Sequence, residues 1–166
     1  MKKHSAGILV YKKQANGLEV LLVHPGGPFW AKKDVWGIPK GEHDETEDPL
    51  VAAKREFEEE LNHPAPDGDY LDLGEIKISS GKIIKAWAVE ADVDVAKIKS
   101  NVIKIEWPPR SGQQIEIPEV DKAEWLLASQ AITKMHKGQE AFIERLAEKL
   151  DIPLAATPKP EQGSLF

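Results

Sequence analysis

Apolar residues in the first part of the chain come in short runs that glycine, proline and polar residues separate. Residues 6–11 and 18–23 are rich in aliphatic side chains, and each run is long enough for one strand. The pair Asn16-Gly17 lies between them and is a strong signal for a tight turn. The pattern therefore predicts that the chain begins with a β-hairpin.

A longer stretch follows in which apolar positions recur at helical spacing. Asp48 is a suitable N-cap, and Pro49 suits the first helical position, where its missing N–H costs nothing. The apolar positions share one face and form a predicted buried stripe, namely Leu50, Ala53, Phe57 and Leu61. We therefore expect a helix that begins at Pro49 and buries this face.

The rest of the chain predicts further strands and then helices. Strands are expected at residues 35–39, 70–79, 82–89, 102–107 and 122–127, with a hairpin turn at Ser80-Gly81 and a short helical turn within residues 92–100. Two helices are expected at residues 129–137 and 139–150. This order is typical of an α/β fold with helices packed on a mixed sheet. We expect one domain over residues 1–150 and a loosely ordered tail over residues 151–166.

Composition narrows the class of protein. With 41% hydrophobic and 30% charged residues, the 166-residue chain has the composition of an ordinary globular domain. It has no cysteine, which excludes disulfides, thiolate metal sites and cysteine nucleophiles. No run is apolar enough to span a membrane or to resemble a secretory signal, so we expect a cytoplasmic protein. The net charge of −6 argues against a stable nucleic-acid partner.

The predicted central helix carries a cluster of acidic residues. Glu56, Glu59 and Glu60 fall at positions i, i+3 and i+4, so their carboxylates gather on one face. Such like charges repel one another on a bare helix, and a solvated acidic face is one interpretation. A divalent cation would turn the repulsion into binding, because Mg²⁺ and Mn²⁺ prefer oxygen ligands.

The spacing over the wider segment resembles the Nudix box, G-x5-E-x7-R-E-U-x-E-E-x-G-U, where U is a bulky apolar residue. The positions that match in register are Gly41, Glu47, Arg55, Glu56, Phe57, Glu59 and Glu60. Asn62 stands where the family has glycine, and asparagine is the non-glycine residue best suited to end a helix in the left-handed conformation. His63 stands where the family has an apolar residue. The resemblance implies an α/β/α sandwich in which the box forms a loop, a helix and a loop beside the sheet.

The resemblance also implies a metal-dependent hydrolysis of a diphosphate linked to a nucleoside. Its metal ligands would be Glu56, Glu59 and Glu60, with a carbonyl of Lys40 or Gly41 adding an oxygen and Mg²⁺ or Mn²⁺ as the ion. Arg55 would pair with Glu47 and orient the acidic cluster.

Outside the helix, Glu119 is the acid most similar to the one that completes the site in related hydrolases, with Glu106 and Glu116 as rivals. A solvated loop glutamate is the alternative interpretation. The general base remains open among Glu56, Glu60 and Glu119.

Basic and aromatic residues are the candidates for substrate binding. The candidates for phosphate contacts are Lys40, Lys32, Lys33 and Arg110, and a surface base is the alternative interpretation for each of them. Trp30, which lies in a loop with two lysines, is the leading candidate for stacking on a base, and Trp87 is a second. Core packing is the alternative for every tryptophan, and it is preferred for Trp36 and Trp125.

The sequence Ile38-Pro39-Lys40-Gly41, with Glu119 ahead of Trp125, favours dinucleoside polyphosphates such as diadenosine tetraphosphate. This choice is made by analogy with the resembling enzymes. Alternatives are a nucleoside triphosphate pyrophosphatase, an RNA 5′-pyrophosphohydrolase, an enzyme for nucleotide sugars or diphosphoinositol phosphates, and a nucleotide sensor that does not cleave. A sensor is expected to have lost a box carboxylate, whereas this chain keeps all three.

Overall fold

The strands and helices follow the hydrophobic pattern over most of the chain. The computed structural model describes residues 3–154, so residues 155–166 of the predicted tail lie outside the described part. Its strands are β1 (His4–Gln14), β2 (Gly17–Pro25), β3 (Lys40–His43), β4 (Leu71–Lys77), β5 (Ile83–Glu90), β6 (Val102–Glu106), β7 (Gln114–Pro118) and β8 (Val120–Leu127). Its helices are α1 (Pro49–Leu61), α2 (Ala128–Lys134), α3 (Glu140–Leu150) and a short 3-10 helix, Val95–Lys97.

A mixed sheet forms the middle layer of the fold. Its strands lie in the order β4-β5-β1-β2-β8, and β3 pairs with β1 beside this path. The pair β1–β5 is parallel, whereas β1–β2, β1–β3, β2–β8 and β4–β5 are antiparallel. Strands β6 and β7 form a separate two-stranded hairpin. The hairpin leaves the sheet immediately before β8, which places its base beside the edge of the main sheet.

Helices cover both faces of the sheet. On one face Phe57 of α1 packs in a buried cluster with Val10 of β1. On the other face Phe142 of α3 packs in a second cluster with Leu9, the neighbour of Val10 in β1. Alternate residues of one strand thus belong to different cores, as strand geometry requires. The predicted α/β/α sandwich is confirmed. Within residues 3–154 no helix is both long and apolar enough to cross a membrane.

The structure differs from the prediction at the first hairpin turn and at the strand expected over residues 35–39. The first hairpin turns on Ala15 and Asn16, and Gly17, with a φ of 128°, already belongs to β2. Residues 35–39 form isolated bridges, such as the one between Val23 and Gly37, and the regular strand β3 begins only after them. Pro39 explains the shift, because proline cannot donate a hydrogen bond to a ladder.

Helix α1 begins and ends as its sequence predicts. The Asp48 side chain accepts a hydrogen bond from the Val51 N–H at 3.0 Å, and Pro49 occupies the first turn. At the other end Asn62 adopts the left-handed conformation, with φ 49° and ψ 45°. Asparagine tolerates this region better than most residues, which is why it can replace glycine here.

The packing of α1 predicts a contrast between two positions on the same helix. Phe57 is fully buried, whereas Val51 is 57% exposed. We expect Phe57→Ala to lower the free energy of unfolding by about 3–5 kcal/mol, because it loses apolar burial and leaves a cavity. The matched control Val51→Ala should change it by no more than about 0.5 kcal/mol. Urea denaturation measures both values, and similar losses for the two variants would contradict this packing of α1.

Candidate active site

The three carboxylates at the end of α1 lie in different environments. Glu60 is 7% exposed, although its neighbour Glu59 keeps 51% of its side chain in solvent. The side chain of Glu56 is intermediate, at 18%. The exposure of the predicted acidic face thus decreases from Glu59 through Glu56 to Glu60, and Glu60 is the buried carboxylate.

The guanidinium of Arg55 organises the exposed part of this cluster. Its Nε and Nη2 donate to the two oxygens of Glu47 at 2.9 and 2.8 Å, a forked pair that fixes orientation. Its Nη1 donates to Glu56 at 2.6 Å and to Glu59 at 3.0 Å. The hydrogen bond from Arg55 also lowers the pKa of Glu47. The guanidinium of Arg55 therefore contacts three of the acidic residues of the box.

Gly41 provides the space that Glu56 needs. A Cβ atom at this position would overlap the carboxylate group of Glu56. Because Gly41 pairs with Ala6 of the central strand β1, its backbone has little freedom to move away. The glycine of the box is therefore required by the close approach of a side chain, and it lies in a strand rather than in the loop that the resemblance implies.

Glu60 shares a cavity of about 200 Å³ with Lys40 and Glu119. Burial, followed by the charge of Glu119, raises the pKa of Glu60 to about 8. Lys40 acts in the opposite direction, and burial lowers the pKa of its own ammonium group. The cavity therefore brings together two carboxylates that repel each other and one lysine, a combination that suits a bound cation and an anionic substrate.

Two residues that the sequence analysis did not select, His136 and Gln139, line the other wall of this cavity. The Gln139 side chain is 3% exposed, and its oxygen accepts a hydrogen bond from the Ile38 N–H at 3.1 Å. Burial and the charge of Lys40 lower the pKa of His136, which favours the neutral ring. Gly37 allows both side chains to come close, since a Cβ there would lie 2.9 Å from the Gln139 oxygen.

An aromatic loop borders this wall. The ring of Trp30 meets the ring of His136 edge-on at 5.1 Å and that of Phe29 at 4.8 Å. The ammonium of Lys33 lies 3.6 Å from the Phe29 ring centroid. The buried imidazole of His24 donates through Nε2 to the Lys33 carbonyl at 2.5 Å, which ties the loop to the end of β2. The loop that carries Trp30 is thus held in place beside the cavity.

Lys82 is another basic residue that the sequence did not indicate. Its charge lowers the pKa of Lys40, and its ammonium pairs with Glu42 of β3 at 3.3 Å. The proximity arises because β3 and β5 both pair with β1, where His4 is the partner of both His43 and Ile83. Only the sheet topology reveals this contact, since the residues are distant in sequence.

Other predicted residues lie away from the cavity wall. Trp87 is 8% exposed and packs in the core with Phe57, so its ring faces are covered by protein. Arg110 is exposed at the tip of the β6–β7 hairpin, and Lys32 is exposed in the aromatic loop. The rival acid Glu106 accepts hydrogen bonds from the backbone of the hairpin tip, whereas Glu116 is exposed on β7.

The carboxylates are the type of ligand that a divalent cation prefers, but their side chains are not arranged as a complete metal site. Within residues 3–154 no three histidine or acidic side chains stand close enough to form a metal-binding group. Arg55 explains part of this, because it holds Glu56 and Glu59. Even so, the charges of Glu119 and Glu56 both raise the pKa of Glu60, so Glu60 interacts electrostatically with the other two carboxylates. Hard oxygen donors that repel each other fit Mg²⁺ or Mn²⁺.

Comparison with solved structures places this fold among Nudix proteins. An Ap4A hydrolase from C. elegans in a binary complex is 21% identical, with a TM-score of 0.64, over 90% of this chain and 98% of that one. The NUDIX domain of Shewanella oneidensis NrtR, complexed with ADP ribose, is 18% identical, with a TM-score of 0.63, over 90% and 89% of the two chains. The Nudix hydrolase RenU from M. smegmatis is 22% identical, with a TM-score of 0.61, over 94% and 91%.

The match of a family model decides the assignment. Comparison with curated proteins gives no significant match. The NUDIX domain model, however, matches residues 1–146 of the chain. Members of this family generally need divalent metal ions. The chain therefore belongs to the Nudix family and is a hydrolase of pyrophosphate-containing substrates.

Proposed function

We propose that the protein hydrolyses dinucleoside polyphosphates, with diadenosine tetraphosphate as the representative substrate and Mg²⁺ or Mn²⁺ as the ion. The observation that carries the proposal is the shared cavity of Glu60, Glu119 and Lys40, with Glu56 nearby. Its groups suit both components of a metal-bound polyphosphate. The carboxylates bind the cation, and the ammonium of the lysine binds the phosphate oxygens. A free nucleotide is a better partner than long RNA for a chain of net charge −6.

The choice of a dinucleoside substrate depends on the aromatic loop. Trp30 and His136 form an edge-on pair beside the cavity, and the ammonium of Lys33, in the same loop as Trp30, lies 5.2 Å from the Trp30 ring centroid. A flat ring next to phosphate-binding lysines suits a nucleoside at the end of a polyphosphate chain. The similarity to the C. elegans Ap4A hydrolase, at 21% identity, supports this substrate class through the fold.

In this proposal Glu56, Glu60 and Glu119 hold the metal, with Glu59 and the backbone at Gly41 as further oxygen donors. A bound ion would lower the pKa of a coordinated water and stabilise charge on the phosphate oxygens. Arg55 orients Glu56 through its Nη1 contact while Glu47 fixes Arg55.

The remaining groups hold the substrate and remove a proton. Lys40 binds a phosphate oxygen next to the carboxylates, and Lys82, Lys33 and Arg110 are available to a longer chain. His136 and Gln139 offer neutral hydrogen-bonding groups on the opposite wall. The base that takes the proton from water is one of the cavity carboxylates Glu60 and Glu119, or Glu56 beside them.

Nucleotide binding without cleavage is the second candidate. The NUDIX domain of NrtR, complexed with ADP ribose, has a similar fold with a TM-score of 0.63. The presence of Glu56, Glu59 and Glu60 favours hydrolysis instead, because a domain that only binds has no need of the full acidic set.

Product analysis by chromatography tests the hydrolase proposal. Diadenosine polyphosphates, nucleoside triphosphates, ADP ribose, nucleotide sugars and triphosphorylated RNA would be incubated with Mg²⁺, with Mn²⁺ and with chelator. We expect diadenosine tetraphosphate to be cleaved fastest, only with metal, and roughly 10²–10⁴-fold more slowly by Glu60→Gln.

Glu58→Gln is the matched control, since Glu58 is exposed on the same helix and its bond to the Ala65 N–H needs only an acceptor. It should retain wild-type turnover. Preferred cleavage of another substrate would refute the dinucleoside choice, and nucleotide binding with no turnover at all would support the sensor.

A second prediction concerns Trp30. Trp30→Ala should raise KM for diadenosine tetraphosphate by about 5–150-fold, because base stacking contributes roughly 1–3 kcal/mol per base. Trp30→Phe keeps a flat ring and should recover most of the affinity. Steady-state kinetics separates KM from kcat for both variants, and an unchanged KM in Trp30→Ala would exclude Trp30 from the binding of the nucleoside.

The buried Glu60 predicts a pH-dependent stability of the metal-free protein. Its pKa is raised from 4.5 to about 8, so the folded state favours the protonated form. Stability that is present below pH 4.5 is then lost as the pH rises toward 8, while the unfolded chain ionises freely. In chelator, Glu60→Gln should therefore be more stable than wild type at pH 8, by about 1–3 kcal/mol, and equal to it at pH 4.

Thermal or urea denaturation at the two pH values measures this difference. Added Mn²⁺ should stabilise the wild type at pH 8 and have much less effect on Glu60→Gln. Equal stabilities of the two proteins at pH 8 in chelator would mean that Glu60 ionises without cost, contrary to its burial.

A further inference from the structure

The side chain of Asn62 makes a hydrogen bond that the usual glycine of the box cannot make. Its Nδ2 donates to the carbonyl of Lys99 at 2.6 Å, although 37 positions separate the two residues in sequence. In return, the Lys99 N–H donates to the carbonyl of Leu61 at 3.0 Å. These two bonds join the end of α1 to the segment of residues 99–101, which we call the strut.

The other end of the strut holds the backbone of Glu119. The Glu119 N–H donates to the carbonyl of Asn101 at 3.0 Å. The next N–H, that of Val120, donates to the hydroxyl oxygen of Ser100 at 2.8 Å. Ser100 in turn donates to the carbonyl of Asn101 at 2.8 Å, which fixes its hydroxyl group. Three consecutive residues thus contact α1 at one end and the Glu119 segment at the other.

The strut joins the two elements whose carboxylates meet in the cavity. Glu60 lies two residues before Asn62, and both are at the C-terminal end of α1. Glu119 is also held from the sheet side, where its carbonyl accepts a hydrogen bond from the Gly26 N–H at 3.1 Å. The contact with Gly26 sets Glu119 relative to β2, whereas the strut sets it relative to α1.

We propose that Asn62 is a positioning residue that, through Lys99, Ser100 and Asn101, holds Glu119 at its working distance from Glu60. The inference rests on the proposed function, in which both carboxylates serve the same metal and substrate. Asn62 contacts neither the cavity nor a reacting group, so its effect reaches catalysis only through the strut. Small displacements of reacting groups are costly, and about 1 Å can reduce turnover roughly 10²-fold.

Three substitutions separate this role from simple helix termination. Asn62→Gly keeps the left-handed conformation and removes the donor. Asn62→Asp keeps the size and tolerates the conformation, but a carboxylate cannot donate to the Lys99 carbonyl. Lys99→Ala is the matched control, because Lys99 acts through its backbone and its side chain is exposed.

Steady-state kinetics with diadenosine tetraphosphate and Mn²⁺ gives the first measurement. Asn62→Gly and Asn62→Asp should each lower kcat by about 10–100-fold with little change in KM, because the groups that bind the substrate stay in place. Ser100→Ala should lower kcat similarly, and Ser100→Thr should restore it by keeping the hydroxyl. The double variant Asn62→Gly with Ser100→Ala should be little worse than either single one, since both weaken the same connection between α1 and Glu119.

Amide hydrogen exchange in the metal-free protein gives a readout that does not depend on activity. The Glu119 and Val120 amides should exchange faster in Asn62→Gly than in wild type, while the amides of β1 should be unchanged. If the wild type cleaves none of the substrates but this exchange pattern is found, the strut exists and the proposed function fails. If the wild type is active and Asn62→Gly and Asn62→Asp retain wild-type kcat, the positioning role is refuted.

Discussion

The burial of the Glu60 carboxylate is the main physical constraint on this structure, because it costs free energy of folding. The residue is 7% exposed, and the charge of Glu119 adds to the penalty of burying its carboxylate. A fold that needed only stability would avoid such a group, because a buried carboxylate is costly unless it is paired. The neighbouring lysine, Lys40, relieves only part of this cost. The arrangement is therefore best understood as a preformed place for cations and phosphates.

The rest of the fold holds the components of this site on separate elements. Helix α1 supplies Glu56 and Glu60, and it is fixed by its Asp48 cap and its packing on the sheet. Strand β3 supplies Gly41 and Lys40, and it pairs with the central strand β1. Glu119 lies between β7 and β8, so a third part of the fold positions it. Rigid elements that meet at one cavity allow precise placement without requiring a single continuous motif.

The sequence predicted the local parts of this site well. The helix, its Asp48 cap, its left-handed end and the contact of Arg55 with Glu47 all depend on residues close together in the chain. Other features depend on contacts between residues that are distant in sequence. They are the unequal burial of Glu59 and Glu60, the cavity wall of His136 and Gln139, and the contact of Lys82 with Glu42. Spacing along one helix carries no information about such contacts. For Trp87, alternation along the strand likewise did not show which face of the sheet its side chain points to.

The most direct test of the central claim is an anomalous difference map from a crystal soaked with Mn²⁺ and a non-hydrolysable diadenosine tetraphosphate analogue. We predict anomalous peaks among the carboxylates of Glu56, Glu60 and Glu119, with the analogue's phosphates next to Lys40. This result requires Arg55 to release or share the Glu56 oxygen that it now holds. Mn²⁺ bound elsewhere, or an analogue bound with Glu60 and Glu119 free of metal, would contradict the account.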